Sequence, residues 1–138
     1  MDISVIGTGY VGLVSGTCFA EMGNNVICVD NDPKKLKKLQ NAEITIYEPG
    51  LEIIFYRNIA KKRLSFTDDL KKAVLNSEII FLSLPTPQGG DGAADLKYVM
   101  NVAEEIGEIL SSNKVEDYKI IVNKSTVPVG TGDKVEAI

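Results

Sequence analysis

The 138-residue chain is long enough for one domain, and a chain of that size buries about two-thirds of its unfolded surface. Hydrophobic residues at 44% and charged residues at 25% are ordinary for a globular protein, while a net charge of -4 excludes the basic footprint that nucleic acid or an anionic membrane surface requires. Small anions must therefore be held by local dipoles, and with no histidine in the chain no metal site is expected.

Met1-Asp2 leads directly into the apolar run Ile3 to Ile6 without a basic leader, and no run approaches bilayer-spanning length. A cytoplasmic protein with neither signal peptide nor membrane anchor is expected. The run reads as a first strand, and Val11 to Met22 reads as a helix ended by Gly23. Between them lies Gly7-Thr8-Gly9-Tyr10-Val11-Gly12. In a strand-turn-helix unit the first glycine allows the tight turn and the second lets the backbone approach a pyrophosphate. The third lets the helix pack closely, while the amides at the helix start face the anion.

Val26 to Val29 reads as a second buried strand that ends on Asp30, about twenty residues beyond the glycines. An acidic residue there accepts hydrogen bonds from ribose hydroxyls and repels a 2′-phosphate, so NAD is favoured over NADP. The alternative role for Asp30 is a turn residue before a helix over Pro33 to Gln40, capped by Asp32. The lysines of that helix read as a solvated face, with Lys35 placed to reach the adenosine end of a cofactor. Cys18 and Cys28 fall in an apolar helix and an apolar strand, and both are expected to pack in the core as reduced thiols.

Glu48-Pro49-Gly50-Leu51 looks like a helix entry, with Leu51, Ile54 and Phe55 supplying the apolar face. Leu64 to Phe66 is a short third strand, and Thr67 is expected to cap a helix running to Leu75. Ile79 to Leu84 is apolar almost throughout, as a central parallel strand should be, and it stops at Pro85-Thr86-Pro87. That stiff loop is either a plain turn or a wall of the ligand site, since ligands sit beyond the carboxyl ends of such strands.

Gln88 to Gly92 reads as a link before a helix that Asp95 can cap. In it Leu96, Val99, Ala103, Ile106 and Leu110 share one face, while Glu104, Glu105 and Glu108 read as the solvent face. Tyr118 to Asn123 is a fifth strand, delivering Lys124, Ser125 and Thr126 to the same sheet edge as the glycine loop. Those hydroxyls can donate to a nucleotide or substrate oxygen, or simply form a turn before the next helix. The alternation predicts an α/β fold, a Rossmann-type doubly wound parallel sheet of order 3-2-1-4-5 with right-handed crossovers. A sixth strand is absent, which gives the impression of an excised piece.

With these motifs assembled, the chain resembles the N-terminal NAD-binding domain of the UDP-glucose/GDP-mannose dehydrogenase family over its whole length. The resemblance rests on GTGYVG with Leu13-Val14, the EPGL segment at Glu48 to Leu51, Pro85 to Pro87, Asp91-Gly92 with Asp95-Leu96, and KSTVPVGT at Lys124 to Thr131. The VPVGT ending is most similar to members that oxidise UDP-glucose. Such enzymes convert a sugar nucleotide's C6 alcohol to a carboxylate by two hydride transfers to NAD, through a covalent cysteine adduct. The resemblance implies that Gly7, Thr8, Gly9, Tyr10, Val11 and Gly12 hold the pyrophosphate. It implies that Asp30 and Lys35 meet the adenosine ribose, and that Leu84, Pro85, Thr86 and Pro87 flank the cofactor. Ser125 and Thr126 stand at the far edge, Thr126 as an auxiliary to catalysis. It also implies a nucleophilic cysteine, a substrate domain and a dimer-forming central helix beyond Ile138, so residues 1–138 would bind NAD without turnover and the longer protein would be a homodimer. A β-hydroxyacid dehydrogenase relative is the alternative among enzymes, though KSTVPVGT and EPGL argue against it, and an NAD-sensing regulatory domain is the alternative outside them.

Overall fold

The computed structural model describes residues 1–90 and 92–138, so Asp91 of the Asp91-Gly92 signature lies outside the described residues. These residues form β1 (Asp2–Ile6), α1 (Tyr10–Glu21), β2 (Asn25–Val29), α2 (Pro33–Gln40), α3 (Leu51–Ala60) and β3 (Leu64–Thr67), followed by α4 (Leu70–Leu75), β4 (Ile79–Leu82), α5 (Lys97–Ser112), β5 (Ile120–Asn123) and α6 (Thr131–Glu136). The strands make one parallel sheet in the order β3-β2-β1-β4-β5, as expected.

Both faces of the sheet are covered at its centre, which is why β2 and β4 are apolar almost throughout. On one side Leu13, Ala20, Leu36, Leu39 and Phe55 from α1, α2 and α3 pack on Ile3, Val5, Val26, Cys28, Leu64 and Phe66. On the other, Ala73 and Val74 from α4 and Val99 and Ile106 from α5 pack on Ile6, Val29, Ile80 and Leu82. Gly16 allows α1 to sit close against the sheet: a Cβ there would lie 2.7 Å from Cys28 Sγ.

The register aligns the strand ends. Thr67 pairs with Val29, Val29 with Ile6, Ile6 with Leu82, and Leu82 with Asn123. All five carboxyl ends therefore finish level, and the loops that follow them emerge along one rim. Backbone bonds continue the stitching past the strands: Gly7 N donates to Val29 O at 2.8 Å, Ser83 N to Ile6 O at 2.8 Å, and Lys124 N to Leu82 O at 2.9 Å.

Several expectations shift locally. Cys18 is exposed rather than packed, because it lies on the outer face of α1; Cys28 is buried as expected. Thr67 does not cap α4: it completes β3, its hydroxyl accepting from Asp69 N at 3.1 Å, and Asp69 is the cap, accepting from Lys72 N at 2.8 Å. Glu48 and Pro49 stay outside α3, which starts at Leu51 after Gly50. Asp95 sits one position before the Leu96 cap of α5, but its carboxylate still accepts from Lys97 N at 2.9 Å. β4 ends at Leu82, and β5 begins only at Ile120. Lys119 instead turns its ammonium to the carbonyls of Ser77 and Leu75, at 2.7 and 3.1 Å, where it satisfies oxygens freed at the end of α4.

Candidate cofactor-binding site

Along the level rim lies a cleft of about 850 Å³, within the size range of small-molecule and cofactor sites. Its lining includes Gly7, Thr8, Gly9, Tyr10 and Val11 from the glycine loop, Asp30 and Lys35 from the β2–α2 turn, Leu84, Pro85 and Thr86 after β4, and Ser125 and Thr126 after β5. Gly12 and Pro87 are not among the lining residues. Gly12 lies under the loop, where a Cβ would meet Gly7 O at 1.9 Å and Ser83 Cβ at 3.2 Å. Pro87 is exposed, and its carbonyl accepts from Asp95 N at 2.8 Å, which ties down the loop behind the wall.

The glycine loop is shaped by its contact with β4. Gly7 has φ +100°, and a Cβ there would lie 2.4 Å from Ser83 O, so only glycine fits the turn. At Gly9, the residue preceding α1, a Cβ would meet nothing within 4 Å. The space over the first turn of α1 is open, with its unpaired amides beside it, as a pyrophosphate requires. The residues present therefore fit a dinucleotide at this point.

Asp30 is 8% exposed and is the most heavily bonded group of the site. Its Oδ2 accepts from Thr8 N at 3.0 Å, from the Thr8 hydroxyl, and from Lys35 Nζ at 2.7 Å, while Oδ1 accepts from Asp32 N at 3.0 Å. Burial pushes this carboxyl up, but the Lys35 ammonium, the Thr8 hydroxyl and the two backbone amides together outweigh it and hold the pKa below the usual aspartate value. The group is thus an ionised acceptor at neutral pH, and Oδ1 retains unused lone-pair capacity for a ribose hydroxyl. Asp32 also caps α2 as expected, accepting from Lys34 N and Lys35 N at 2.9 and 3.2 Å. Lys35 reaches the cleft through this ion pair and remains 32% exposed at its side chain.

At the other end, the Thr86 and Thr126 hydroxyls face each other at 3.1 Å. The Thr86 hydroxyl also lies 3.1 Å from the Thr126 carbonyl, to which it can donate. Ser125 differs from the expected donor: its hydroxyl accepts from Leu84 N at 2.8 Å and faces Leu84 O at 2.9 Å, so it fastens the β5 turn to the β4 loop. The nearby Ser83 hydroxyl is buried, has no hydrogen-bond partner among the described residues and borders the cleft beneath the glycine loop.

The cleft also takes in residues the sequence did not single out, among them Asn31, Asp68, Leu70, Tyr98, Asn101 and Glu105. Glu105, which reads from the sequence as part of the solvent face of α5, is indeed exposed, but it stands at the cleft. The available signal was a second stripe on α5, at positions 98, 101, 102 and 105, one helical face away from the buried one. Neither cysteine lines the cleft. Among the described residues no cluster of metal-ligating side chains is present, and no helix is long and apolar enough to cross a membrane.

The model of the UDP-glucose/GDP-mannose dehydrogenase family, NAD binding domain, matches residues 1–138. The chain belongs to this family. Similar relatives include UDP-glucose 6-dehydrogenase TuaD of Bacillus subtilis, 54% identical over 99% of this chain and 28% of its own length. The UDP-glucose 6-dehydrogenase of Rhizobium meliloti is 51% identical over 100% of this chain and 31% of its own. Among solved structures, GDP-mannose dehydrogenase of Pseudomonas aeruginosa in a ternary complex superposes with a TM-score of 0.91 at 38% identity, covering 98% of this chain and 30% of that one. The chain thus spans less than a third of the length of these relatives. In this family the domain is the one that binds NAD, and membership decides against the β-hydroxyacid dehydrogenase alternative.

Proposed function

We propose that this chain holds NAD within a cytoplasmic UDP-glucose 6-dehydrogenase, as the N-terminal cofactor domain of a longer protein in which UDP-glucose is oxidised to UDP-glucuronate. The observation that carries the reading is the single cleft joining an open glycine loop, an ionised Asp30 and the Thr86–Thr126 pair. The names of the two relatives given above support the choice of substrate. Bound NAD supplies a hydride acceptor. Residues of this chain do the positioning. The loop amides and the start of α1 hold the pyrophosphate over Gly9, and Asp30 takes the adenosine ribose on the free lone pairs of Oδ1, with the Lys35 ammonium beside it. Pro85 and Thr86 form a stiff wall, and Thr126 stands where the reacting end of the cofactor meets substrate or water.

The chain alone should not turn over. Cys28 is buried and Cys18 lies on the outer face of α1, so neither offers the covalent step that the family resemblance implies. A homodimer is part of the same proposal and rests on that resemblance alone.

Calorimetric titration with NAD and NADP tests the cofactor role. Saturable NAD binding, with NADP at least about tenfold weaker, is expected, a difference of ~1.4 kcal/mol. Equal affinity for both removes Asp30 as the ribose reader, and binding of neither overturns the cofactor role for the chain. The substrate choice is tested on the full-length protein, where NADH should form with UDP-glucose; formation with GDP-mannose alone overturns it.

A further inference from the structure

Helix α5 carries two stripes. Val99, Ala103 and Ile106 are buried against the sheet. Tyr98, Asn101, Val102 and Glu105, at i, i+3, i+4 and i+7, all line the cleft. Asn101 and Glu105 are exposed polar residues one turn apart, and among the described residues neither side chain makes a hydrogen bond or ion pair. The charge of Glu105 is therefore not spent on the fold.

The cleft that this pair lines also has an apolar part. Leu70 of α4, Leu84 after β4 and Val102 of α5 are half-buried, pack on the core of that side, and line the same cleft. Leu70 comes three residues after the end of β3, which is level with the end of β2 and hence with Asp30. A dinucleotide whose ribose is held at Asp30 would thus place its purine in this apolar slot, with an amide and a carboxylate at the rim.

We propose that Glu105 and Asn101 read the edge of that base, Glu105 accepting from the 6-amino group of adenine, so that the site selects a 6-aminopurine dinucleotide over its 6-oxo counterpart. The proposal rests on the cofactor role given above. An ionised carboxylate can only accept, whereas a carboxamide both donates and accepts. Approaching position 6 from its N7 side, Glu105 faces a donor in adenine and the lone pairs of O6 in hypoxanthine, whose N1–H lies on the far side of O6, so it loses its bond and meets repulsion in the second case. Asn101 can turn its amide to suit either base. Glu105 is thus the discriminating residue, and Asn101 adds affinity without choice.

The test is calorimetric titration of the chain with NAD and with nicotinamide hypoxanthine dinucleotide, for the unmodified sequence and for Glu105→Ala, Glu105→Gln and Asn101→Ala. The unmodified chain should bind the 6-oxo compound about fivefold more weakly, or worse, the scale of one lost hydrogen bond. Glu105→Ala should weaken NAD and bring the two within about twofold. Glu105→Gln should also level them, because its amide can donate to O6, and it should retain binding of both. Asn101→Ala should weaken both together. A preference that is absent from the unmodified chain, or that survives Glu105→Ala, overturns the proposal while NAD binding stands. Binding of neither dinucleotide overturns the cofactor role, and this inference with it.

Discussion

Asp30 joins stability to the ribose-binding role proposed for it. Its pKa is lower in the folded chain than in the unfolded one, so its ionised form stabilises the fold at neutral pH. That contribution is fully present above the ordinary aspartate pKa, about 3.9, and is lost as the pH falls through the lower folded value. Melting temperatures measured from about pH 6 down to about pH 2 should therefore fall more steeply for the unmodified chain than for Asp30→Asn; parallel curves would show that its bonds add nothing. The same substitution should weaken NAD binding about tenfold, because a charge-assisted acceptor becomes a neutral one. The two cysteines separate just as clearly. Burial pushes the Cys28 thiol up to about 12, while Cys18 faces outward. A thiol-specific reagent at about pH 8 should label one cysteine per native chain and both after denaturation. Labelling of both in the native state would mean that the seam between α1 and β2 opens readily.

That seam has a matching element-level test. Gly16→Ala drives a methyl group into Cys28 Sγ and should cost ~1–3 kcal/mol in denaturant unfolding. Combining it with Cys28→Ala should cost less than the sum of the two single changes, since the clash and the cavity cancel. Helix α3 is fixed to α1 by polar bonds as well. Asn58, fully buried, donates to Glu21 Oε2 and to Ile54 O, both at 2.7 Å, and accepts from Arg63 Nε at 3.2 Å, while Arg57 pairs with the other Glu21 oxygen. The Asn58 bond, opposed by burial and joined by Arg57, holds Glu21 below the usual glutamate value. Asn58→Ala should destabilise the chain by ~1–3 kcal/mol, read as a lower denaturation midpoint, because three partners lose a partly buried bond at once. Asn58 was legible in principle, as the polar member of the face Leu51, Ile54, Phe55 at i+7. The strands and their order were legible because a sheet covered on both sides needs long apolar runs. The α4 cap was misread because Thr67, Asp68 and Asp69 are all good caps, and only the pairing of Thr67 with Val29 decides which of them is free. Glu105 was missed because a charged residue on a helix looks the same whether it faces water or a ligand cleft.

For the molecule as a whole, the sheet divides the core in two, and the cleft takes residues from both sides of it. A ligand there stabilises both halves together. NAD at about a hundred times its Kd should add ~2.7 kcal/mol and raise the melting temperature by roughly 5 to 10 °C, a shift that differential scanning fluorimetry would detect and that NADP at equal concentration should not match. The bonds from Thr8 to Asp30 also couple two parts of the rim that a ligand would touch separately. The aspartate that would exclude a phosphorylated ribose also latches the glycine loop to the end of β2. Replacing it would loosen the pyrophosphate grip at the moment the ribose pocket is opened to a new cofactor. Opening this rim to a phosphorylated ribose would therefore take two changes rather than one, a replacement for Asp30 and a new anchor for Thr8.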